Sequence, residues 1–495
     1  MRSRIFHFRL AHAGLILALA GGAAATVPLA LAANSTGITP VPAVAPVAAG
    51  GSGPPGTAPL GSVPAHSSMQ TVVQVYDNDY PFMHYGDAPV HNEVAELQQR
   101  IARGQVTLTY GSHAFLGSLL SALDIDPESQ VLVFSKTSLQ IDAISPATPR
   151  AIYFNDDTYV AFVQGTGMME VATMDADRGA VFYSFHTLTT PDQQNHSWRL
   201  EREGPRCLTC HDSFAESGGG VPVFMFESAY DLKDMDVIFG DAAHETTEQD
   251  PEAGRWGGWY VTGDDGGAFH LGNVYAPARR GPAVMRNSVL REDARKGALQ
   301  SLSGLLNLAP YIRPGSDIVS LLVLQHEVDV HNAMIRANYK SRVLFMKNPQ
   351  ANVDATTHWR DMPPQMQKML TALLEPLVRA MVMSDAAGLA APVKGNTSYA
   401  GHFEARGPRD ARGRSLRDLD LRTRTFRYPM SFLVYTRAFD FLPVGVREHL
   451  YSRFADILTG KDHTGSYGKL DPADCRAALE ILKATKPDFA RQISG

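Results

Sequence analysis

Two cysteines and a histidine stand together in the run Cys207–His211, which reads CLTCH. A C-x-x-C-H run is the attachment signature of a c-type haem, because two thiols three residues apart can each add to one vinyl group of the same porphyrin. The adjacent histidine is then placed to ligate the iron. The sequence therefore predicts one covalently bound haem c, with Cys207 and Cys210 as thioether residues and His211 as proximal iron ligand.

Other chemistries of paired cysteines fit this motif less well. A thioredoxin-like C-x-x-C site belongs to a strand–helix context, whereas this motif follows Gly204-Pro205-Arg206, which favours a loop. A structural zinc site needs a second ligand pair, and Cys475 stands alone on a predicted helix. A disulfide between Cys207 and Cys210 stays open as an alternative, but the adjacent histidine favours haem.

The sixth iron ligand would decide what such a haem does. Two strong protein ligands favour electron transfer, and an open position permits O₂ or peroxide chemistry. His326 and His331 lie on a predicted helix over 318–344, on apolar stripes that indicate burial. We therefore expect His331 or His326 as the distal ligand. With an open distal position, the candidate catalytic groups acting on bound oxygen species are His326, Glu327 and His331.

The same helix invites comparison with a zinc protease, whose H-E-x-x-H histidines lie about 40° apart around the helix axis. His326 and His331 are five residues apart, which separates them by about 140°. One metal ion cannot easily take both side chains, so the spacing disfavours a zinc protease.

Several other residues could face a haem. Further candidates for the sixth ligand are His186, His270, Met225 and Met285. Arg206 could pair with a haem propionate, with exposure to solvent as the equal alternative. Trp256 and Trp259 could lie against the haem edge or simply pack around a glycine bend. For His270 the plain alternative is a surface residue of a turn, and for Met225 a buried strand.

The first 69 residues predict export. Arg2, Arg4 and Arg9 precede an uncharged apolar run, and Ala30-Leu31-Ala32 offers a small-residue cleavage site. This layout is typical of a secretory signal peptide over 1–32, with an uncleaved membrane anchor as the alternative. Residues 33–69, dominated by Pro, Ala, Gly and Ser, predict a disordered linker. We expect a periplasmic protein, the compartment in which bacteria attach haem covalently.

Length and charge restrict the class of the protein further. The chain has 495 residues and a net charge of −6, which excludes a generally basic nucleic-acid binder. Three cysteines exclude a disulfide-rich scaffold. The length allows about two to three domains. A carrier with a single haem needs only about a hundred residues, so most of this chain serves something besides holding the haem.

Hydrophobic patterning predicts an α+β fold in three parts. Residues 70–200 should be β-rich, with two helices at 93–103 and 113–123 before the strands. Residues 201–285 form an irregular haem-binding segment with short strands at 221–226 and 259–262. Residues 286–495 should be helical, with helices at 318–344, 365–382, 439–459 and 472–484. The Arg-rich residues 393–427 are predicted to be an exposed excursion.

Longer stretches of the sequence resemble a known family. The stretches that carry the resemblance are 130–138, 149–157, 207–211, 255–263 and 326–339. Together they resemble a group of exported bacterial proteins known as single-haem cytochrome c domain proteins, over about residues 75–490. The resemblance implies haem binding and electron transfer. The chain is also loosely similar in design to di-haem peroxidases and rubber-cleaving oxygenases, but it has no second C-x-x-C-H.

We therefore expect a periplasmic haem c protein that transfers electrons to or from a periplasmic redox partner. One alternative is a haem enzyme, a peroxidase or oxygenase with an open distal site. Another is a haem sensor or structural protein without turnover. No nucleic-acid partner is expected, and membrane association is expected only if the signal segment stays uncleaved.

Overall fold

The structure is a computed structural model that describes residues 85–86, 88–109, 112–187, 198–212, 220–229, 243–273 and 297–494. The predicted signal peptide and linker lie outside the described residues, as does Met285. The described parts of the three predicted segments contribute side chains to the same hydrophobic core. The haem motif is thus built into a larger body.

Nine strands and ten helices are described. The strands are β1 (Val131–Val133), β2 (Arg150–Phe154), β3 (Thr158–Val163), β4 (Met168–Asp175), β5 (Gly179–Thr187), β6 (Trp198–Glu203), β7 (Glu227–Ala229), β8 (Ala243–Glu245) and β9 (Trp259–Tyr260). The helices are α1 (Glu93–Ala102), α2 (Ser112–Ala122), α3 (Pro205–His211), α4 (Ile318–Lys347), α5 (Pro364–Val382), α6 (Tyr399–Ala405), α7 (Arg437–Asp440), α8 (Val444–Leu458), α9 (Pro472–Thr485) and α10 (Pro487–Ser494).

Seven strands form one antiparallel sheet in the order β6-β5-β4-β3-β2-β1-β9. Short turns join β2 to β5 in sequence, because antiparallel neighbours need no long crossover. In the β2–β3 turn the Asn155 side chain accepts hydrogen bonds from the backbone N–H groups of Asp157 and Thr158, at 3.1 and 2.9 Å. With helices following the sheet, the α+β prediction is confirmed.

The two faces of the sheet carry different helices. Side chains alternate along a strand, so Tyr183 and Phe185 of β5 point to one face and Phe182 to the other. The first face is covered by α1 and α2, where Phe115 packs on Phe185 with ring centroids 6.1 Å apart. The second face carries α3 and α4, with His211 packed on Phe182.

Gly179 lets the chain approach the second face closely. Its φ is +73°, and a Cβ there would lie 2.8 Å from both the Pro222 carbonyl oxygen and Ile335 Cγ2 of α4. A side chain at this position would therefore push away two elements at once. The glycine admits the segment 220–226 between the sheet and α4.

The central helix of the second half is α4. Asp317 caps it by accepting a hydrogen bond from the Val319 N–H at 2.7 Å, as expected of an N-cap residue. Most of its side chains are buried, so it lies inside the protein. Within the described residues, no helix is both long and apolar enough to cross a membrane.

Most of the predicted strands and helices are observed, with four differences. Residues 207–211 lie on a helix that follows strand β6 directly, whereas a loop was predicted, so the strand–helix context no longer disfavours a thioredoxin-like site. Residues 221–226 were predicted as a strand but form no ladder, because side chains and α3 take their backbone hydrogen bonds. The helix predicted over 439–459 is divided at Pro443, which caps α8. Residues 393–427 are partly internal, since Leu416 and Phe426 belong to the core.

Candidate functional site

The haem motif lies on the short helix α3, which follows directly from the edge strand β6. Pro205 occupies its first turn, where a missing N–H costs nothing. With 100° per residue, Cys207, Cys210 and His211 fall within an arc of about 100° on this helix. The two sulfurs and the imidazole therefore project from the same side, as one porphyrin would require.

The imidazole of His211 is held in one orientation. Its Nδ1–H donates to the Val223 carbonyl at 2.8 Å, and its ring packs on Phe182 with centroids 4.3 Å apart. Burial lowers the pKa of His211 to about 4, so the ring is neutral at pH 7. Nε2 makes no hydrogen bond to any residue that the structure describes, so its lone pair is available to a metal. This is the usual state of a metal-binding histidine, with the second nitrogen bonded to a carbonyl.

The motif cysteines also fit thioether attachment. The Cys207 thiol is unbridged, so the disulfide alternative is not the arrangement observed. Burial raises the pKa of this thiol well above its ordinary value, and the nearby Glu203 carboxylate acts in the same direction. The neutral imidazole with its aromatic neighbour suits ligation of a haem iron, whereas the raised thiol pKa makes Cys207 less reactive once it is buried.

Arg206 is committed to a neighbouring carboxylate. Its Nη2 and Nε atoms donate to Glu203 at 2.7 and 3.2 Å, and this pairing raises its pKa. The side chain is half exposed. A propionate contact would require Arg206 to exchange Glu203 for the haem, and the structure offers no contact that supports the predicted role.

His326 has both ring nitrogens bonded within the protein. Nδ1 lies 2.8 Å from Glu248 Oε2 and Nε2 lies 2.8 Å from Ser431 Oγ. The ring is fully buried and packs on Phe426 with centroids 4.5 Å apart. No lone pair of His326 is left for a metal, so its prediction as a distal ligand is not supported by the geometry.

His331 lies in a different buried environment. The Tyr159 hydroxyl lies 2.9 Å from His331 Nδ1, and burial raises the pKa of that hydroxyl. Burial also lowers the pKa of His331 to about 3, so the ring is neutral at pH 7. Its Nε2 lies 4.0 Å from Asp157 Oδ1 and makes no hydrogen bond within the described residues. His331 is therefore directed at the β2–β3 turn.

The direction of the His211 ring also separates it from α4. Phe224 packs on His331 with centroids 5.7 Å apart, and its neighbour Val223 carries the carbonyl that is bonded to His211 Nδ1. The two nitrogens of an imidazole lie on opposite sides of the ring, so His211 Nε2 faces away from Val223. The structure does not bring His326 or His331 to the open side of His211.

The other residues predicted to face a haem are packed within the protein. His270 is fully buried, not a surface residue, with Nδ1 accepting from the Gly272 N–H at 3.0 Å and Nε2 3.3 Å from Asp265. Trp256 packs on His270, and Trp259 stacks on Phe226 at 4.7 Å. Both indoles are core residues. Met225 is half-buried in the segment 220–226.

A second group of side chains could bridge a metal ion. Ligand atoms of His186, Glu201 and Glu203 lie within 4.8 Å of one another at the β5–β6 edge. Both carboxylates are already neutralised, since Arg199 Nε lies 2.9 Å from Glu201 and Arg206 Nη2 lies 2.7 Å from Glu203. The Ser184 hydroxyl also donates to Glu203 at 2.6 Å. The group is therefore complete as an ion-pair network.

Three acidic side chains lie near the β2–β3 turn. Burial raises the pKa of Glu327 on α4 well above its ordinary value, with Asp156 adding to the effect and Arg417 opposing it. Within the described residues, Glu327 Oε2 makes no hydrogen bond. Burial also raises the pKa of Asp157 to about 8, reinforced by Glu93 and Asp156. The buried Glu327 thus lies near the partly exposed acids Asp156 and Asp157, and the structure does not place it at His211.

The raised pKa of Asp157 should make stability depend on pH. Between about pH 4 and 8 native Asp157 keeps a proton that the unfolded chain releases, so the free energy of unfolding should fall as pH rises. Asp157→Asn should flatten this slope and raise stability at pH 8, since a tenfold change in proton affinity equals about 1.4 kcal/mol. Urea unfolding at pH 5 and pH 8 measures the difference.

The exposed carboxyl of Asp142 provides the control. Asp142→Asn should leave the pH dependence as it is in the wild type. Parallel stability curves for the wild type and Asp157→Asn would contradict the assignment of a native proton to this carboxyl.

Several residues of the site carry no sequence signal of their own. The Val223 carbonyl is a backbone group, and Phe182 reads as an ordinary strand residue. Asn332 appears only as one member of a polar stripe along the predicted helix. Comparison with known proteins adds no further residue: no family model, no curated protein and no solved structure matches this chain.

Proposed function

We propose that this protein is an exported haem c protein of the single-haem cytochrome c domain type, and that it transfers electrons. The observation that carries the proposal is the geometry of α3. Cys207, Cys210 and His211 share one side of the helix, and His211 is neutral with Nδ1 bonded to Val223. Cys207 and Cys210 would hold the porphyrin covalently, and His211 would ligate its iron through Nε2.

The chain's own groups prepare this site for a metal. The Val223 carbonyl fixes the tautomer of His211 and increases the basicity of its free nitrogen. Phe182 covers one side of the imidazole and excludes water from it. When bound, the haem supplies an iron that changes between ferric and ferrous forms. We place this reaction in the periplasm with a periplasmic redox partner, as the predicted export signal favours.

A haem peroxidase or oxygenase is the second candidate. The observation that favours it is the engagement of His326 and His331 elsewhere in the structure. Without them, the expected pair of histidine ligands is incomplete. A low-spin ferric haem that does not bind CO would support electron transfer, and ready CO binding would support the enzyme.

The three cysteines provide a direct test of haem attachment. In a bacterial strain competent for haem attachment, the wild-type protein should carry haem that survives denaturation and acid–acetone extraction. The double variant Cys207→Ala/Cys210→Ala should lose this covalent haem. Cys475→Ala, which removes the buried cysteine of α9, should keep it. The readouts are the pyridine haemochrome spectrum and the intact mass.

Each outcome has a clear meaning for the proposal. Wild-type mass equal to that of the polypeptide alone would overturn it. Covalent haem that persists in the double variant would show attachment elsewhere and overturn the assignment of the site. Equal loss of haem in Cys475→Ala would mean that the cysteine substitutions act through misfolding, and circular dichroism of the purified variants separates that effect from loss of attachment.

A further inference from the structure

The side-chain amide of Asn332 makes two hydrogen bonds to the backbone of one residue. The Phe224 N–H donates to Asn332 Oδ1 at 2.9 Å, and Asn332 Nδ2 donates to the Phe224 carbonyl at 2.9 Å. Asn332 is 1% exposed. All of this takes place inside the protein, where a lost hydrogen bond leaves a buried polar group unpaired.

The residue before Phe224 makes the matching pair of bonds to the other side. The Val223 N–H donates to the His211 carbonyl at 3.0 Å, and the Val223 carbonyl accepts from His211 Nδ1 at 2.8 Å. Successive residues of an extended chain direct their backbone groups to opposite sides. Val223 therefore faces α3 and Phe224 faces α4, so two consecutive peptide units join the helices.

The helix that carries Asn332 is held firmly in place. Helix α4 runs for 30 residues and is buried along most of its length, and its Ile335 closes on Gly179 of the sheet. By contrast α3 has seven residues, too few to be stable alone. The Ala180 N–H of the sheet also donates to the Pro222 carbonyl at 3.2 Å. The Val223 carbonyl is therefore held from the sheet on one side and from α4, through Asn332, on the other.

We propose that Asn332 is a positioning residue that holds the Val223 carbonyl against His211 and thereby sets the reduction potential of the haem iron. The inference rests on the proposed function. A carbonyl bonded to Nδ1–H makes the imidazole a stronger donor, which favours ferric iron and lowers the potential. Removal of the Asn332 side chain weakens the hydrogen bond from His211 to the Val223 carbonyl. The imidazole then becomes a weaker donor, and the reduction potential rises.

The same helix provides a matched control. Asn338 Nδ2 donates to the Ala176 carbonyl at 2.7 Å, and its Oδ1 accepts from Arg342. Like Asn332, it joins α4 to a backbone carbonyl, but that carbonyl belongs to the β4–β5 turn. Asn332→Ala and Asn338→Ala thus remove comparable bonds, and only the first lies on the path to His211.

The test compares both variants as haem-loaded proteins. The measurements are the midpoint potential from a redox titration and the NMR chemical shift of the His211 Nδ1–H proton in the ferrous protein. Asn332→Ala should shift the ferric/ferrous equilibrium toward ferrous by about tenfold, which is about 59 mV for a one-electron couple, and should move that proton upfield because its hydrogen bond weakens. Asn338→Ala should match the wild type in both.

A second variant keeps the proposal testable if Asn332→Ala folds poorly. Asn332→Asp retains the acceptor for the Phe224 N–H but loses the donor, so its potential should lie between those of the wild type and Asn332→Ala. A potential and a His211 Nδ1–H chemical shift equal to those of the wild type in the folded, haem-loaded variant would overturn the role of Asn332. A wild type without haem would overturn the proposed function and this inference together.

Discussion

If haem is bound as proposed, replacing His211 by alanine should remove the axial ligand of its iron while leaving Cys207 and Cys210 in place. The variant should carry less haem than the wild type, and the attached haem should become high-spin and bind CO. Added free imidazole should enter the space that the ring vacates and restore the wild-type absorption spectrum. We expect this because the imidazole of His211 is neutral and its Nδ1 is bonded to the Val223 carbonyl, which leaves Nε2 to ligate the iron.

His449 provides the matched control for this substitution. Burial lowers its pKa to about 4 as well, and its ring stacks on Trp359 with centroids 4.1 Å apart. His449→Ala should therefore cost stability through lost packing but leave the haem spectrum unchanged. An unaltered low-spin spectrum in His211→Ala would assign the proximal ligand to another residue.

Arg417→Met should destabilise the protein by about 3 kcal/mol, because the loss of this buried cation leaves the half-buried Asp156 and the buried Glu327 without their positive neighbour. Arg417 is 4% exposed. Its guanidinium pairs with Asp156 and lies 4.8 and 4.3 Å from the ring centroids of Phe403 and Phe432. Without Arg417, the carboxyl groups of Asp156 and Glu327 lose a nearby positive charge. The midpoint of urea unfolding at pH 7 measures this effect.

The comparison for Arg417 is an arginine of the same segment on the surface. Arg412 pairs with Glu480 at 2.9 Å, but its side chain is 70% exposed. Arg412→Met should therefore change the unfolding midpoint little, since exposed pairs contribute little to stability. Equal midpoints for the two variants would mean that the buried charge of Arg417 is not required.

Local patterns predicted the sheet well, and the haem motif stays a prediction. The strands from Val131 to Phe185 were read from β-branched and aromatic residues between turn residues, and the hairpins that follow need no distant information. The α+β class follows from the change to a helical pattern from Ser288 onward. The motif residues Cys207, Cys210 and His211 were identified by spacing alone, and that spacing places them on one side of α3.

Residues whose role depends on distant partners could not be assigned from the sequence. Burial of His326 was predicted correctly, but its partners Glu248 and Ser431 lie 78 and 105 residues away in the chain. The polar composition of 393–427 indicated exposure, whereas Arg417 is buried because Asp156, 261 residues away, neutralises it. Such pairings arise only when the chain folds, so neither the hydrophobic pattern nor the charge pattern records them.

The burial of Cys207 has a consequence for the order of biosynthesis. In the folded chain this thiol is partly covered and its pKa is raised, so it is less reactive than an exposed cysteine. If haem is attached here as proposed, attachment comes before the chain folds and covers Cys207. The polypeptide would then fold around a porphyrin that it already carries. Conditions in which the apoprotein folds before attachment would yield less haem-loaded protein.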